Sequence, residues 1–238
     1  MNKNIHNNNN KMCYNIETSI ATFISGFISG IMALALKQTI LGCLILSYAL
    51  MQFSEIIIWR GIDTDNVRLN KIGTAIGKYT LPSHNIALGL GVLITYWVYK
   101  NEPKYWIPLV AGVLFYISIL IYYSKTRHNG DDVTKACKYP EEKESCTKNS
   151  ARLEWPYPHS WYAISYIISI LILIIYIKPT YPLAVFIGAF FTISFIATSL
   201  LGKKQIVGSY WCWSASALAP LLVLVVYLMS RGLKGVRV

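Results

Sequence analysis

Two ionisable residues, Glu55 and His84, stand inside long apolar segments of the chain. A charged side chain at the centre of a bilayer costs about 2.5–3.5 kcal/mol on insertion scales, so such residues usually face a protein interior. A carboxylate near an imidazole can transfer a proton or bind a polar ligand. Glu55 and His84 are therefore the first candidates for a site that transfers a proton or binds a polar ligand.

Other polar and aromatic residues recur beside this pair. Tyr48, Gln52, Glu55 and Trp59 follow the spacing i, i+4, i+7 and i+11, which places them on one face of a helix. We expect that face to line a polar pocket. The residues predicted to line the pocket are Gln52, Glu55, Trp59, His84, Asn85, Trp211, Cys212 and Trp213.

Each candidate also has a structural interpretation. Glu55 could pair with Arg60 near the membrane surface, and His84 could bond a carbonyl at a helix start. Pro82 and Ser83 precede His84 and are typical of a first helical turn. The aromatic residues Trp211 and Trp213 could serve packing alone.

Known catalytic motifs are not found. The chain has four histidines and no H-x-x-x-H or H-E-x-x-H spacing, so no metal site is predicted. It also lacks C-x-x-C, G-x-S-x-G and P-loop patterns, and the identity of any cofactor is left unknown. A non-enzymatic carrier, binding or structural protein is favoured; the alternative is an intramembrane enzyme with Glu55 and His84 as its acid/base pair.

Composition identifies the environment of these residues. The chain is 54% hydrophobic and 14% charged, and its mean hydropathy is +0.42. Soluble domains average about 25% charged residues, so the composition predicts an integral membrane protein. The net charge of +11 then indicates loops that face anionic lipid headgroups. The chain has no stripe of basic residues interleaved with aromatic ones, so nucleic acid is not predicted as a partner.

The predicted fold is all-α, a polytopic bundle of seven transmembrane helices. A span needs about 20 mostly apolar residues. The segments that meet this length are roughly 18–36, 39–59, 79–99, 105–123, 160–177, 181–201 and 206–229. None has a lysine at its middle, which argues against a retinal protein.

The remaining segments complete the domain organisation. Residues 1–16 form an asparagine-rich tail predicted to be disordered, and residues 231–238 form a basic C-terminal tail. The transmembrane domain covers 17–230 and includes a large polar loop at 124–159. Residues 60–78 are predicted to form a second, basic loop containing two glycines.

The candidate residues converge on the N-terminal side of the membrane. With helix 3 starting at residue 79, Glu55 and His84 lie about 7.5 Å and 9 Å below the flanking basic residues. Trp211 to Trp213 lie about 10–14 Å deep on the same side. The pocket is therefore predicted to open toward the N-terminal side, where it could admit a small molecule, an ion or a lipid.

Two signals disagree on the orientation of the chain. Lys and Arg are about twice as numerous on the N-terminal side, which places that side in the cytosol. Cys137 and Cys146, in the large loop, would form a disulfide if that side were oxidising. The positive charges favour a cytosolic N-terminal side.

Several short motifs together resemble an uncharacterised family of small seven-helix membrane proteins. They are "MCYN" before helix 1, Gln52 and Glu55 in helix 2, "LPSHNI" in helix 3 and "YWCWSAS" in helix 7. The family occurs in bacteria, fungi and large DNA viruses. Here Gln52 precedes Glu55, the reverse of the usual order, and Met-Cys is displaced to residues 12–13. The asparagine-rich tail resembles giant-virus proteins, which implies a host cell or virion membrane.

Overall fold

The structure is a computed structural model that describes residues 15–98, 106–125, 133–137, 152–155, 193 and 215–233. It is helical, apart from one short two-stranded ribbon. The helices are α1 (Ile16–Ala35), α2 (Thr39–Asp63), α3 (Val67–Val98), α4 (Ile107–Lys125) and α5 (Ala219–Leu233). The strands are β1 (Lys135–Cys137) and β2 (Arg152–Glu154).

Three of these helices, α1, α2 and α3, are long and apolar enough to cross a membrane. Their exposed side chains include many large apolar ones, such as Ile28 on α1 and Leu50 on α2, as lipid contact requires. Two apolar stretches in α4 and α5, Ile107–Tyr122 and Ala219–Leu228, are shorter. Predicted spans 160–177 and 181–201 lie outside the described residues apart from Ile193.

The segment between α2 and α3 differs from the sequence prediction. A loop was expected at residues 60–78, but α2 continues to Asp63 and α3 begins at Val67. The turn is tight: Asp65 has a positive φ of 51°, and Asn66 Oδ1 accepts a hydrogen bond from the backbone of Leu69. The polar residues after Asn66 lower the hydropathy of this segment, which made it resemble a loop, but they belong to the first turns of α3.

The two glycines of the expected loop are helical packing positions. A Cβ added at Gly73 would lie 2.9 Å from the backbone nitrogen of Ile58, and one at Gly77 would collide with the ring of Trp155. Glycine is therefore required by close approach and not by flexibility. Pro82 likewise lies inside α3, so "LPSH" does not start the helix as expected.

Helices α2 and α3 meet along an antiparallel seam with a seven-residue repeat. Gly61 is opposite Asn70, and Ser54 is opposite Gly77. Continuing the repeat, Ser47 bonds to His84, and Ile40 is opposite Gly91. Every pair contains a glycine or a serine, so the two backbones approach closely along the whole seam.

Small residues also join α1 to α2 and α3 to α4. A Cβ at Gly30 would lie 2.6 Å from Leu46 Cγ and 3.3 Å from the carbonyl of Gly42. A Cβ at Gly112 on α4 would lie 2.7 Å from the carbonyl oxygen of Asn85. Gly30 and Gly42 therefore allow the close approach of α1 and α2.

The large loop sends a ribbon back onto the start of α3. β1 and β2 pair in antiparallel register, with Lys135 opposite Glu154 and Cys137 opposite Arg152. Just beyond the ribbon, Thr134 and Trp155 are both buried, as is Leu153 within β2. The sequence did not predict these strands, because three-residue strands leave no periodic signal.

Candidate binding site in the helix interior

The predicted polar face of α2 is buried along its whole length. The exposed fraction is 1% for Tyr48, 0% for Gln52 and Glu55, and 3% for Trp59. Phe53, the residue after Gln52 and about 100° further around the helix, is 40% exposed. The face therefore turns into the protein, and we call these four residues the polar face of α2.

His84 joins this interior from α3. Its ring meets the ring of Tyr48 edge-on, with centroids 4.6 Å apart and an interplanar angle of 79°. The imidazole also hydrogen-bonds the backbone of Ser47. Within the described part of the chain, its Nε2 is buried and has no hydrogen-bond partner. One side of the ring is thus anchored, while the other has unused bonding capacity.

Glu55 and His84 are not brought together as a directly bonded pair. The seam places His84 beside Ser47, whereas Glu55 follows Ser54, which faces Gly77. Seven residues of α3 separate Gly77 from His84, so the two levels differ by about 10 Å. The equal depth expected from the sequence rested on a helix start at residue 79, and the earlier start at Val67 removes it.

The side chain of Gln52 contacts α1. The hydroxyl of Thr22 donates to Oε1 of Gln52 at 2.6 Å, and both side chains are buried. The same hydroxyl can donate to the carbonyl of Thr18 at 2.8 Å. Among the described residues, Nε2 of Gln52 has no partner. Turning the amide by 180° would let Nε2 donate to Thr22, but the carbonyl oxygen of Gln52 would then have no hydrogen-bond partner. Either orientation therefore leaves one amide atom unsatisfied among the described residues.

Asn85 lies on α3 at the contact with α4. Its exposed fraction is 0%, and its backbone carbonyl faces Gly112. His84 and Asn85 are neighbours in sequence, but a helix turns about 100° per residue, so the two residues contact different helices. His84 faces α2, whereas the backbone of Asn85 supports α4.

The ribbon packs against the N-terminal part of α3, beside the α2–α3 seam. The side-chain amide of Asn70 bonds both the backbone nitrogen and the carbonyl of Thr134, at 3.0 Å and 2.9 Å. Thr74 adds a hydroxyl contact to Thr134 at 2.7 Å. One turn further on, the ring of Trp155 lies against Gly77. The loop is thus anchored over the level of Ser54 and Glu55.

Other side-chain polar atoms are also buried without a hydrogen-bond partner among the described residues. Within the described residues, Nε1 of Trp59 and the hydroxyls of Ser19 and Ser216 are buried without a hydrogen-bond partner. Ser216 packs against Gly26 of α1, and its backbone carbonyl accepts a hydrogen bond from Ser25 at 3.2 Å. Buried polar groups are nearly always bonded, so a cluster of exceptions calls for an explanation.

The burial of Ser19 and Thr22 beside α2 and the contacts of the ribbon were not predicted from the sequence. Ser19, Thr22, Gly26 and Ser29 follow i, i+3, i+7 and i+10, a small polar stripe that marks the buried face of α1. That spacing could have revealed the partner of Gln52. Nothing in the sequence indicates that Asn70 would bind Thr134, 64 residues away.

Some predicted site residues lie outside the described residues. These are Trp211, Cys212 and Trp213 of the expected pocket, and Cys146 of the expected disulfide. Cys137 lies at the end of β1, opposite Arg152. The approach of Cys137 to Cys146 therefore stays a prediction, which peptide mapping without reductant would test.

Comparison with known proteins supplies no family. No protein-family model matches the chain, and no curated protein matches it. The function must therefore be argued from the described geometry.

Proposed function

We propose that the chain is a seven-helix integral membrane protein that acts without catalysis. In this proposal the polar face of α2, together with His84, binds a small polar molecule or an ion that enters from the N-terminal side. The resemblance to a family of seven-helix proteins and the seven apolar segments support the helix count. The excess of basic residues supports a cytosolic N-terminal side, in a host cell or virion membrane.

One observation carries the proposal: a fully buried glutamine keeps one amide atom unsatisfied in the described structure. Burying such a group costs about 1–3 kcal/mol in proteins. An apolar side chain of similar size would avoid that cost. On the neighbouring helix, Nε2 of His84 likewise has no hydrogen-bond partner among the described residues. Buried unsatisfied polar groups are expected where a ligand or water completes the bonding.

The enzymatic alternative has weaker support. Glu55 and His84 differ in level by about 10 Å along the seam, and among the described residues the imidazole Nε2 has no hydrogen-bond partner, so the two side chains form no direct acid/base pair. Among the described residues, no three His, Cys, Asp or Glu side chains come together as a metal-binding group. A binding or carrier role needs neither arrangement.

Cysteine labelling in sealed vesicles tests the proposal. Gln52→Cys and His84→Cys should react with a small charged thiol reagent added on the N-terminal side. Phe53→Cys, which lies next to Gln52 but on the exposed apolar side of α2, is the matched control and should not react. The unsubstituted chain sets the background of the native cysteines. Equal protection of all three positions would contradict a pocket that opens to that side.

A further inference from the structure

The contacts of the large loop follow one stripe of α3. Asn70 and Thr74 hydrogen-bond Thr134. The ring of Trp155 lies against Gly77. The three positions on α3 are spaced by four and three residues, so they lie on one side of the helix. The loop therefore follows this stripe from the end of the bundle that holds the α2–α3 turn, and Trp155 makes its furthest contact.

The same stripe leads on to His84, which follows Gly77 by seven residues, or about 10 Å along α3. A Cβ at Gly77 would lie 3.1 Å from the hydroxyl of Ser54, so Gly77 and Ser54 are level in the α2–α3 seam. Gln52 precedes Ser54 by two residues on the antiparallel helix, which places it about 3 Å further in the same direction. Both Gln52 and His84 therefore lie beyond the level of Trp155.

The loop side chains on this stripe are buried. The exposed fraction is 1% for Thr134, 0% for Leu153 and 3% for Trp155, and we call these three residues the plug. Gln52 and His84, deeper in the bundle, are 0% and 3% exposed. A buried site exchanges its ligand only when a covering segment moves. The plug is the segment that covers this stripe at the end of the α2–α3 turn.

We propose that the plug is a gate, which closes the proposed binding site at that end of the bundle. The inference rests on the proposed function, because it requires a ligand that reaches Gln52 and His84 from the N-terminal side. With the ring of Trp155 at Gly77, the gate is closed. It opens when Thr134 leaves α3 and the ring withdraws.

The attachments of the plug can be broken while the helices stay folded. Asn70 and Thr74 hold it through their side chains, and the backbone hydrogen bonds of α3 do not depend on them. The ribbon that carries the plug has three residues in each strand, and a two-stranded ribbon is at best marginally stable alone. A segment held in this way opens more readily than the helix core.

A reversible disulfide tests the gate in the full chain. The hydroxyl oxygens of Thr74 and Thr134 are 2.7 Å apart, and a disulfide joins two sulfurs at about 2.05 Å. Thr74→Cys combined with Thr134→Cys should therefore lock the plug on oxidation, and peptide mapping confirms the bridge. Gln52→Cys is added to the same chain as the reporter.

The labelling rate of the reporter is measured in sealed vesicles. A small charged thiol reagent is added on the N-terminal side, before and after reduction of the lock, and peptide mass spectrometry separates position 52 from the native cysteines. Because only the open form reacts, we expect labelling to be at least about tenfold slower in the locked form. Thr134→Cys without Thr74→Cys is the matched control, and oxidation should leave its labelling rate unchanged.

Releasing the plug should have the opposite effect. Asn70→Ala removes two hydrogen bonds to Thr134, which corresponds to about a 5–30-fold rise in the open fraction and in the labelling of Gln52→Cys. Trp155→Ala should also speed labelling, because it removes the ring from Gly77. Trp97→Ala is the control, since this tryptophan is 56% exposed near the far end of α3.

Three outcomes would overturn the gate. Equal labelling of Gln52→Cys in the locked and reduced forms would refute it, although the binding site would stand. No labelling after reduction or in Trp155→Ala would refute the gate and the proposed pocket together. If Phe53→Cys, on the exposed side of α2, also reacts faster in the released variants, the helices have loosened in general and the plug is no gate.

Discussion

The hydroxyl of Thr22 lies 2.6 Å from the amide oxygen of Gln52, across the contact between α1 and α2. This contact joins two helices through buried side chains. It engages only one end of the Gln52 amide. The contact between the helices thus uses one atom of the Gln52 amide, and the other atom is available to bind a ligand.

Replacing Gln52 by methionine should separate stability from function. Methionine is similar in size, and the Thr22 hydroxyl keeps the Thr18 carbonyl as an acceptor. The substitution also removes an unsatisfied buried group, so we expect Tm to stay equal or to rise by up to about 4 °C. Thermal unfolding is the measurement. A loss of more than about 1 kcal/mol would show that the amide is structural.

Gly91 should tolerate no side chain at the α2–α3 seam. A Cβ there would lie 2.6 Å from the Cα of Ile40 and 3.0 Å from the carbonyl of Thr39, and these backbone atoms cannot yield locally. We expect Gly91→Ala to destabilise the fold by about 1–3 kcal/mol or more, measured by thermal unfolding. Leu90→Ala, at an exposed neighbouring position, is the control and should cost less.

Asn70 should hold the ribbon on α3. Asn70→Ala removes two hydrogen bonds to the backbone of Thr134. We expect faster proteolytic cleavage within residues 126–159, because the loop is released while the helices stay folded. Asn66→Ala is the control, since Asn66 caps α3 and, among the described residues, forms no hydrogen bond with the loop. Unchanged cleavage in Asn70→Ala would show that Trp155 and Leu153 suffice to hold the ribbon.

The two tails should lie on opposite sides of the membrane. This follows from an odd number of crossings, which is part of the proposed seven-helix fold. Single cysteines placed in residues 1–12 and 234–238 can be labelled in sealed vesicles with an impermeant reagent. Labelling of one tail before lysis and of the other only after lysis is the expected result. Labelling of both tails from one side would exclude seven spans.

The sequence predicts the helices better than it predicts their ends. Apolar length located α1 and α2 to within a few residues, and the spacing i, i+4, i+7 and i+11 on α2 placed Gln52 and Glu55 on a buried face. The start of α3 was wrong by 12 residues, because polar side chains at its beginning were taken for a loop. Those side chains bind the ribbon, and a contact 64 residues away leaves no local signal.

The expected partnership of Glu55 and His84 depended on that wrong start. With α3 beginning at Val67, the register of the seam separates their levels by about 10 Å, so the two groups are not at one depth. The seam repeat of glycine and serine could have supplied the correct register. Gly61, Ser54 and Ser47 are spaced by seven, as are Gly77, His84 and Gly91.

The most direct test of the central claim is a density map of the protein in a lipid nanodisc. The account predicts a discrete density within hydrogen-bond distance of Gln52, enclosed by α1 and α2 and reached from the N-terminal side. This density should weaken in Gln52→Met, while the helices keep their positions. Direct apolar packing around Gln52, with no density beside its free amide atom, would contradict a binding site in the helix interior.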